Sequence, residues 1–98
     1  MNPIHNHCKT YRKNPSVACT ELDDGAVLLN LDTKYYFNLN KTGLRIWQIM
    51  EKVRTPLEIA EKLAREYDVN VERAKVSVVR LLGELEKEEL IISQQKGR

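Results

Sequence analysis

The side chains with the most obvious chemistry stand at the start of the chain. His5, His7 and Cys8 lie almost adjacent, and imidazole nitrogen and thiolate sulfur are good ligands for zinc or copper. Cys19 is the only obvious fourth ligand, and no CxxC or HExxH spacing is present. The segment therefore reads as a loose arm, and neither a metal nor any other cofactor is expected. Covalent catalysis needs a nucleophile beside a positioned base. No histidine follows His7, and Cys19 sits in a predicted strand with no base in sequence reach, where a thiol behaves as a small hydrophobe. Asp23-Asp24 precede a glycine and read as turn chemistry. Glu86, Glu88 and Glu89 around Lys87 read as a solvated helix end, and no glycine-rich phosphate loop occurs. An enzyme is not expected.

Residues suited to binding form a different set. In the apolar segment Tyr35-Tyr36-Phe37-Asn38-Leu39, alternation sends Tyr35, Phe37 and Leu39 to one face and Tyr36, Asn38 and Asn40 to the other. If this strand ends a sheet, its only local guard against another chain is Lys34. The second set lies further on, where a helix is predicted from Val71 to about residue 88. At 100° per residue, Val71, Ala74, Val78, Leu81, Leu82 and Leu85 gather in one sector of roughly 80–100°. Val76, Val79 and Gly83 fall near the opposite face, with Arg73 and Arg80 beside them. Exposed β-branched residues weaken a helix without gaining from burial, and a small residue at 83 lets another backbone approach. The stripe reads as one wall of a groove.

These positions need a scaffold, and 98 residues is enough for one domain. Hydrophobic residues make up 42% and charged residues 31%, the balance of a soluble globular protein. The net charge of +2, from 16 basic and 14 acidic side chains, argues for neither nucleic acid nor a membrane. No apolar run approaches the ~18 residues of a membrane span. The polar start shows no export signal, so a cytoplasmic chain with unpaired thiols is expected. Residues 1–14 read as the flexible arm, 15–92 as the domain and 93–98 as a frayed tail. Strands are predicted at 17–22, 26–31 and 35–39. Asp23-Asp24-Gly25 joins the first two, with glycine supplying positive φ, and Asp32-Thr33-Lys34 joins the last two. Short turns make an antiparallel meander with the third strand at an edge. Helices follow. Asn40 caps residues 41–52. Thr55-Pro56-Leu57-Glu58 is a capping box ahead of a buried face of Ile59, Ala60, Leu63, Ala64 and Tyr67, and Asn70 caps the third helix. Leu90-Ile91-Ile92 is a short strand or a packed tail. The class is α+β, a three-stranded meander followed by three helices, like a winged helix-turn-helix.

Asp24-Gly25-Ala26-Val27-Leu28-Leu29, Tyr35 to Asn40, Thr42-Gly43 and Ile46-Trp47 together resemble the PqqD-like family, the leader-peptide recognition elements of ribosomally made, modified peptides. The likeness continues through Thr55, Ile59, Ala60, Leu63 and Tyr67-Asp68-Val69 to Leu85 and Leu90, and so spans about residues 17–92. The resemblance implies a leader peptide that adds as a strand to the third strand and rests on the third helix. Carried over by position, Tyr35, Tyr36, Phe37 and Asn38 are the strand contacts, and Val76, Val79, Arg80 and Gly83 the helix wall. Arg73 and Lys75 pair with acidic leader residues. A chain of this size most resembles the split leader-binding subunit of lasso peptide systems, which works with a separate leader peptidase or other modifying enzyme. Two alternatives are a PQQ-type peptide chaperone for a radical SAM enzyme and a winged-helix DNA-binding protein. Against DNA, Glu72, Glu84, Glu86 and Glu88 share the helix that would enter the groove. Dimerisation through the third-strand edge is a further possibility.

Overall fold

Gly25 shows how tightly the meander is drawn. It opens the second of three strands, β2 (Val17–Leu22), β3 (Gly25–Asn30) and β4 (Tyr36–Asn40), which pair antiparallel in that order; β1 (Lys9–Lys13) precedes them. A Cβ at position 25 would collide with the carbonyl oxygen of Leu39 on the neighbouring strand. Glycine is required there by close approach and not by positive φ, which no described glycine adopts. The computed structural model describes residues 9–95. The left-handed turn position lies instead at Lys34, with φ of 68° between β3 and β4.

Three helices follow: α1 (Lys41–Ile49), α2 (Pro56–Tyr67) and α3 (Val71–Lys87). Each begins where its capping residue directs. The Asn40 side chain accepts from the Gly43 N–H at 2.8 Å, and Asn70 accepts from Glu72 at 2.7 Å. The Thr55 hydroxyl accepts from the Glu58 N–H at 3.3 Å and donates to the Glu58 carboxylate at 2.8 Å. Helix α1 ends at Ile49 rather than 52, because the N–H groups of Glu51 and Lys52 bond only three residues back and tighten the last turn.

The inward faces of the strands, Ala26, Leu28 and Leu39, close on Ile46 and Trp47 of α1, Ile59 and Leu63 of α2, and Val78, Leu82 and Leu85 of α3. Each of the larger aliphatic side chains among them contributes about 1.5–3 kcal/mol by leaving water. Tyr67 and Val71 were expected on buried faces but are exposed, because they end α2 and begin α3, beyond the reach of the packed interface. Helix α1 is stapled to α2 by Arg45, whose guanidinium donates to both carboxylate oxygens of Glu66 at 2.7 Å.

The ends of the domain depart most from the sequence reading. Residues 9–13, read as part of the loose arm, form β1, and residues 93–95, read as tail, complete β5 (Ile91–Gln95). The two strands pair antiparallel. Tyr11 supplies the cause. Its ring is buried, and its N–H donates to the Arg54 carbonyl at 2.9 Å. Beside it Lys13 lies 4.6 Å from the centroid of the Trp47 ring and 2.7 Å from the Glu51 carboxylate. Local sequence at 9–13 shows no apolar alternation, so only its partner makes it a strand. His5, His7 and Cys8 lie outside the described residues.

Two outcomes are expected. Tyr11→Ala lowers unfolding free energy by about 3 kcal/mol in urea titration, where a loose arm predicts no change. The Arg45 hydrogen bond and charge hold Glu66 below its ordinary value of 4.5. Its contribution is therefore complete above that value and lost as pH falls through the lowered one. The stability gap between the native chain and Arg45→Ala, no more than about 1 kcal/mol for an exposed pair, should shrink on acidification.

Candidate functional site

The hydrogen-bond parity of β4 decides which of its residues face an incoming chain. The Asn30 N–H donates to the Tyr35 carbonyl at 2.9 Å, and β3 pairs with β4 in the register Leu28 to Phe37 and Ala26 to Leu39. In an antiparallel ladder alternate residues exchange backbone bonds with the partner strand. Phe37 and Leu39 therefore spend their backbone groups on β3, as does the Tyr35 carbonyl, while the Tyr35 N–H donates to the Thr33 hydroxyl at 3.2 Å. Tyr36 and Asn38 turn theirs outward, along an edge that no strand covers among the described residues. Asn40 also turns its N–H outward, where β4 runs directly into α1.

Beside this edge is a cavity of about 380 Å³. Its strand side is Phe37, Asn38, Leu39 and Asn40, its end wall is Thr42, Gly43 and Ile46 of α1, and its far wall is Ser77, Arg80, Leu81 and Glu84 of α3. Gly43 keeps this end open, since a Cβ there would press on the Leu39 side chain at 3.2 Å and the Asn40 side chain at 3.3 Å. Arg80 and Glu84 are the charged residues of the lining, one of each sign. The cavity is accordingly close to neutral.

Of the residues singled out from sequence, Phe37, Asn38 and Arg80 meet in this cavity. Tyr35 and Tyr36 are exposed beside it, Tyr35 just ahead of the strand and Tyr36 on it, with 65% of its surface accessible. Val76 and Val79 are exposed on α3, and a Cβ at Gly83 would meet only open space, yet none of the three lines the cavity. On the wheel the lining row Arg80, Glu84, Ser77 and Leu81 sweeps about 100°, from the exposed stripe toward the buried sector. Val76 borders this row and Val79 is turned well away from it. Arg73 continues the row toward the start of α3, and Lys75 lies on the other side of the helix. On α3 the lining residues that sequence reasoning did not single out for binding are Ser77, Leu81 and Glu84. The signal was the row between the apolar and exposed sectors, but its value depends on which side the strand occupies.

Cys19 is exposed on β2. Partial burial pushes its thiol up from 9.0, Glu21 adds to the shift and Lys13 opposes it, so the thiolate is disfavoured. Among the described residues no three His, Cys, Asp or Glu side chains group to hold a metal ion. No described helix is long and apolar enough to cross a membrane.

Fold and site together define a small α+β module with an open strand edge beside a helix-walled cavity. The chain belongs to the PqqD family, whose model, described as coenzyme PQQ synthesis protein D, matches residues 25–91. It is similar in structure to TbiB1, solved in complex with the TbiA(beta) leader peptide, with a TM-score of 0.74 and 32% identity over 82% of this chain and 93% of that one. It is also similar to lasso peptide synthetase B1, solved in complex with the leader peptide, with a TM-score of 0.73 and 27% identity over 84% of this chain and 96% of that one. A search of curated proteins finds no significant match.

The parity makes a direct prediction about the edge. Asn38→Pro removes an outward N–H and should change stability by less than about 1 kcal/mol, whereas Phe37→Pro breaks the ladder and should cost about 3 kcal/mol or more. Chemical denaturation of the two variants checks it.

Proposed function

We propose that this chain is a leader-binding module, which takes the leader of a ribosomal precursor as an added strand on β4 and holds it for a separate leader peptidase or other modifying enzyme of lasso peptide biosynthesis. The observation that carries this reading is the outward backbone of Tyr36 and Asn38 beside a cavity walled by α3. Main-chain bonds to a sheet edge supply affinity, and a pocket for alternate side chains supplies selectivity. Membership of the PqqD family and likeness to two proteins solved with leader peptides support the same reading. Catalysis falls to the partner enzymes, and the work is cytoplasmic.

A guest residue opposite Phe37 points toward the cavity. Its neighbours, opposite Tyr36 and Asn38, share the sheet's outer face. The cavity suits one apolar side chain against Phe37, Leu39, Ile46 and Leu81, with Arg80 and Glu84 at its polar side. Arg73, next along the same row, is placed to meet an acidic residue beyond the pocket. Tyr35 and Val76 flank the guest at the rim. Lys75, Val79 and Gly83, carried over as contacts by resemblance, lie further from its path.

Fluorescence anisotropy with the labelled leader peptide of its cognate precursor tests the reading. Ser77→Trp fills the cavity and should weaken binding at least about tenfold, as should Asn38→Pro by removing an edge donor. Val79→Asp should change affinity less than about threefold. A near-neutral cavity also predicts weak salt dependence, opposite to the steep dependence of a DNA-binding helix. No binding by the native chain, or native affinity in both Ser77→Trp and Asn38→Pro, rules the groove out.

A further inference from the structure

The sheet has a second edge, and its backbone groups can be assigned by the same parity. The Leu31 N–H donates to the Ser16 carbonyl at 2.8 Å, and β2 pairs with β3 as Ala18 to Leu29, Thr20 to Val27 and Leu22 to Gly25. These residues spend their backbone groups on β3, so Val17, Cys19 and Glu21 turn theirs outward. The Val17 N–H is already taken by the Asn14 carbonyl at 3.0 Å. Among the described residues, what remains is the Val17 C=O and the N–H and C=O of Cys19 and of Glu21, on a strand whose residues from Ala18 to Leu22 are all exposed. No proline or lysine stands in the strand to discourage pairing.

We propose that this edge joins two copies of the chain, β2 against β2 in antiparallel register with Thr20 opposite Thr20. Self-complementarity selects this occupant. A two-fold axis through Thr20 sets Cys19 of each copy opposite Glu21 of the other, so every outward donor meets an acceptor. Moving the axis to Cys19 would call on the Val17 N–H, which is spent. On the outer face Thr20 meets Thr20 and the exposed Leu22 meets Ala18, a favourable polar pair and an apolar one. On the inner face the Glu21 carboxylate meets neutral Cys19, so no like charges oppose. The joined sheet has six strands, with the two β4 edges at its outer limits. Both grooves stay open, and the dimer is a bivalent receptor. A six-residue edge buries well under the ~800 Å² per partner of a standard interface, so association is weak and concentration-dependent.

Directly opposed residues that do not exchange backbone bonds lie about 4.5 Å apart at Cα, within disulfide range, whereas the two Ala18, four residues out of register with each other, lie more than about 10 Å apart. The test uses the full chain with Cys8→Ser and Cys19→Ser, and adds Thr20→Cys, Ala18→Cys or Asn38→Cys singly. Each is oxidised with glutathione disulfide after circular dichroism has shown that it is folded. Thr20→Cys should give at least about tenfold more covalent dimer than either other position. Added Glu21→Pro, which removes an outward donor, should bring it down to their level. Equal yields at all three positions overturn the proposal, as does a maximum at Asn38→Cys, which would place the joint at β4. A Thr20→Cys yield unmoved by Glu21→Pro overturns it as well.

Discussion

The carbonyl oxygen of Glu89 receives two side-chain amides, from Asn14 at 2.8 Å and from Asn30 at 3.0 Å. Glu89 can offer it because it follows α3 in the left-handed conformation, with φ of 61°. Asn30 is buried, and its own oxygen accepts the N–H groups of Asp32 and Thr33 at 2.9 and 3.1 Å. One amide thus shapes the turn between β3 and β4 and pins that turn to the end of α3. An unpaired amide at such depth would cost about 1–3 kcal/mol, so the three bonds hold together or fail together. The groove depends on this junction. Its two walls, β4 and α3, are distant in sequence, and the spacing between them is set by what lies at their ends.

The same construction explains why the cavity stays open. Helix α3 packs mainly on α2 and the sheet mainly on α1, so α1 acts as the hinge of a wedge whose mouth faces outward. Thr42, Gly43 and Ile46 form its inner end. A side chain larger than glycine at 43 would press on Leu39 and Asn40 and disturb the cap that starts α1. Local backbone chemistry and the binding cavity are therefore one structural feature.

The terminal ribbon shows what a small domain needs. A chain of this size buries little surface per residue, and an uncovered Trp47, Met50 or Ile91 would be costly. Strand β1 covers this region and brings Lys13 over the indole, while β5 returns along it. The family match, residues 25–91, covers neither β1 nor most of β5.

Much of this architecture was legible in the residues. The three meander strands, the caps at Asn40, Thr55 and Asn70, and the buried faces of the helices follow from alternation, helical spacing and short-range hydrogen bonding, which are local properties. The candidate site was half legible. Phe37, Asn38 and Arg80, singled out from sequence, line the cavity, while Val76, Val79 and Gly83 stand outside its lining, because a helical wheel shows exposure without showing direction. Ser77, Leu81 and Glu84 became the wall only when α2 fixed the rotation of α3 and the Asn30–Glu89 junction fixed its distance from β4. Residues 9–13 became a strand only because residues 91–95 lie beside them. The sequence by itself determined the three meander strands and the three helices and where most of them begin, since those choices are made within a few residues. Tertiary structure alone decided which face of α3 meets the strand, since that depends on contacts between segments tens of residues apart, whereas the outward parity of β4 follows from its pairing with β3 across one short turn.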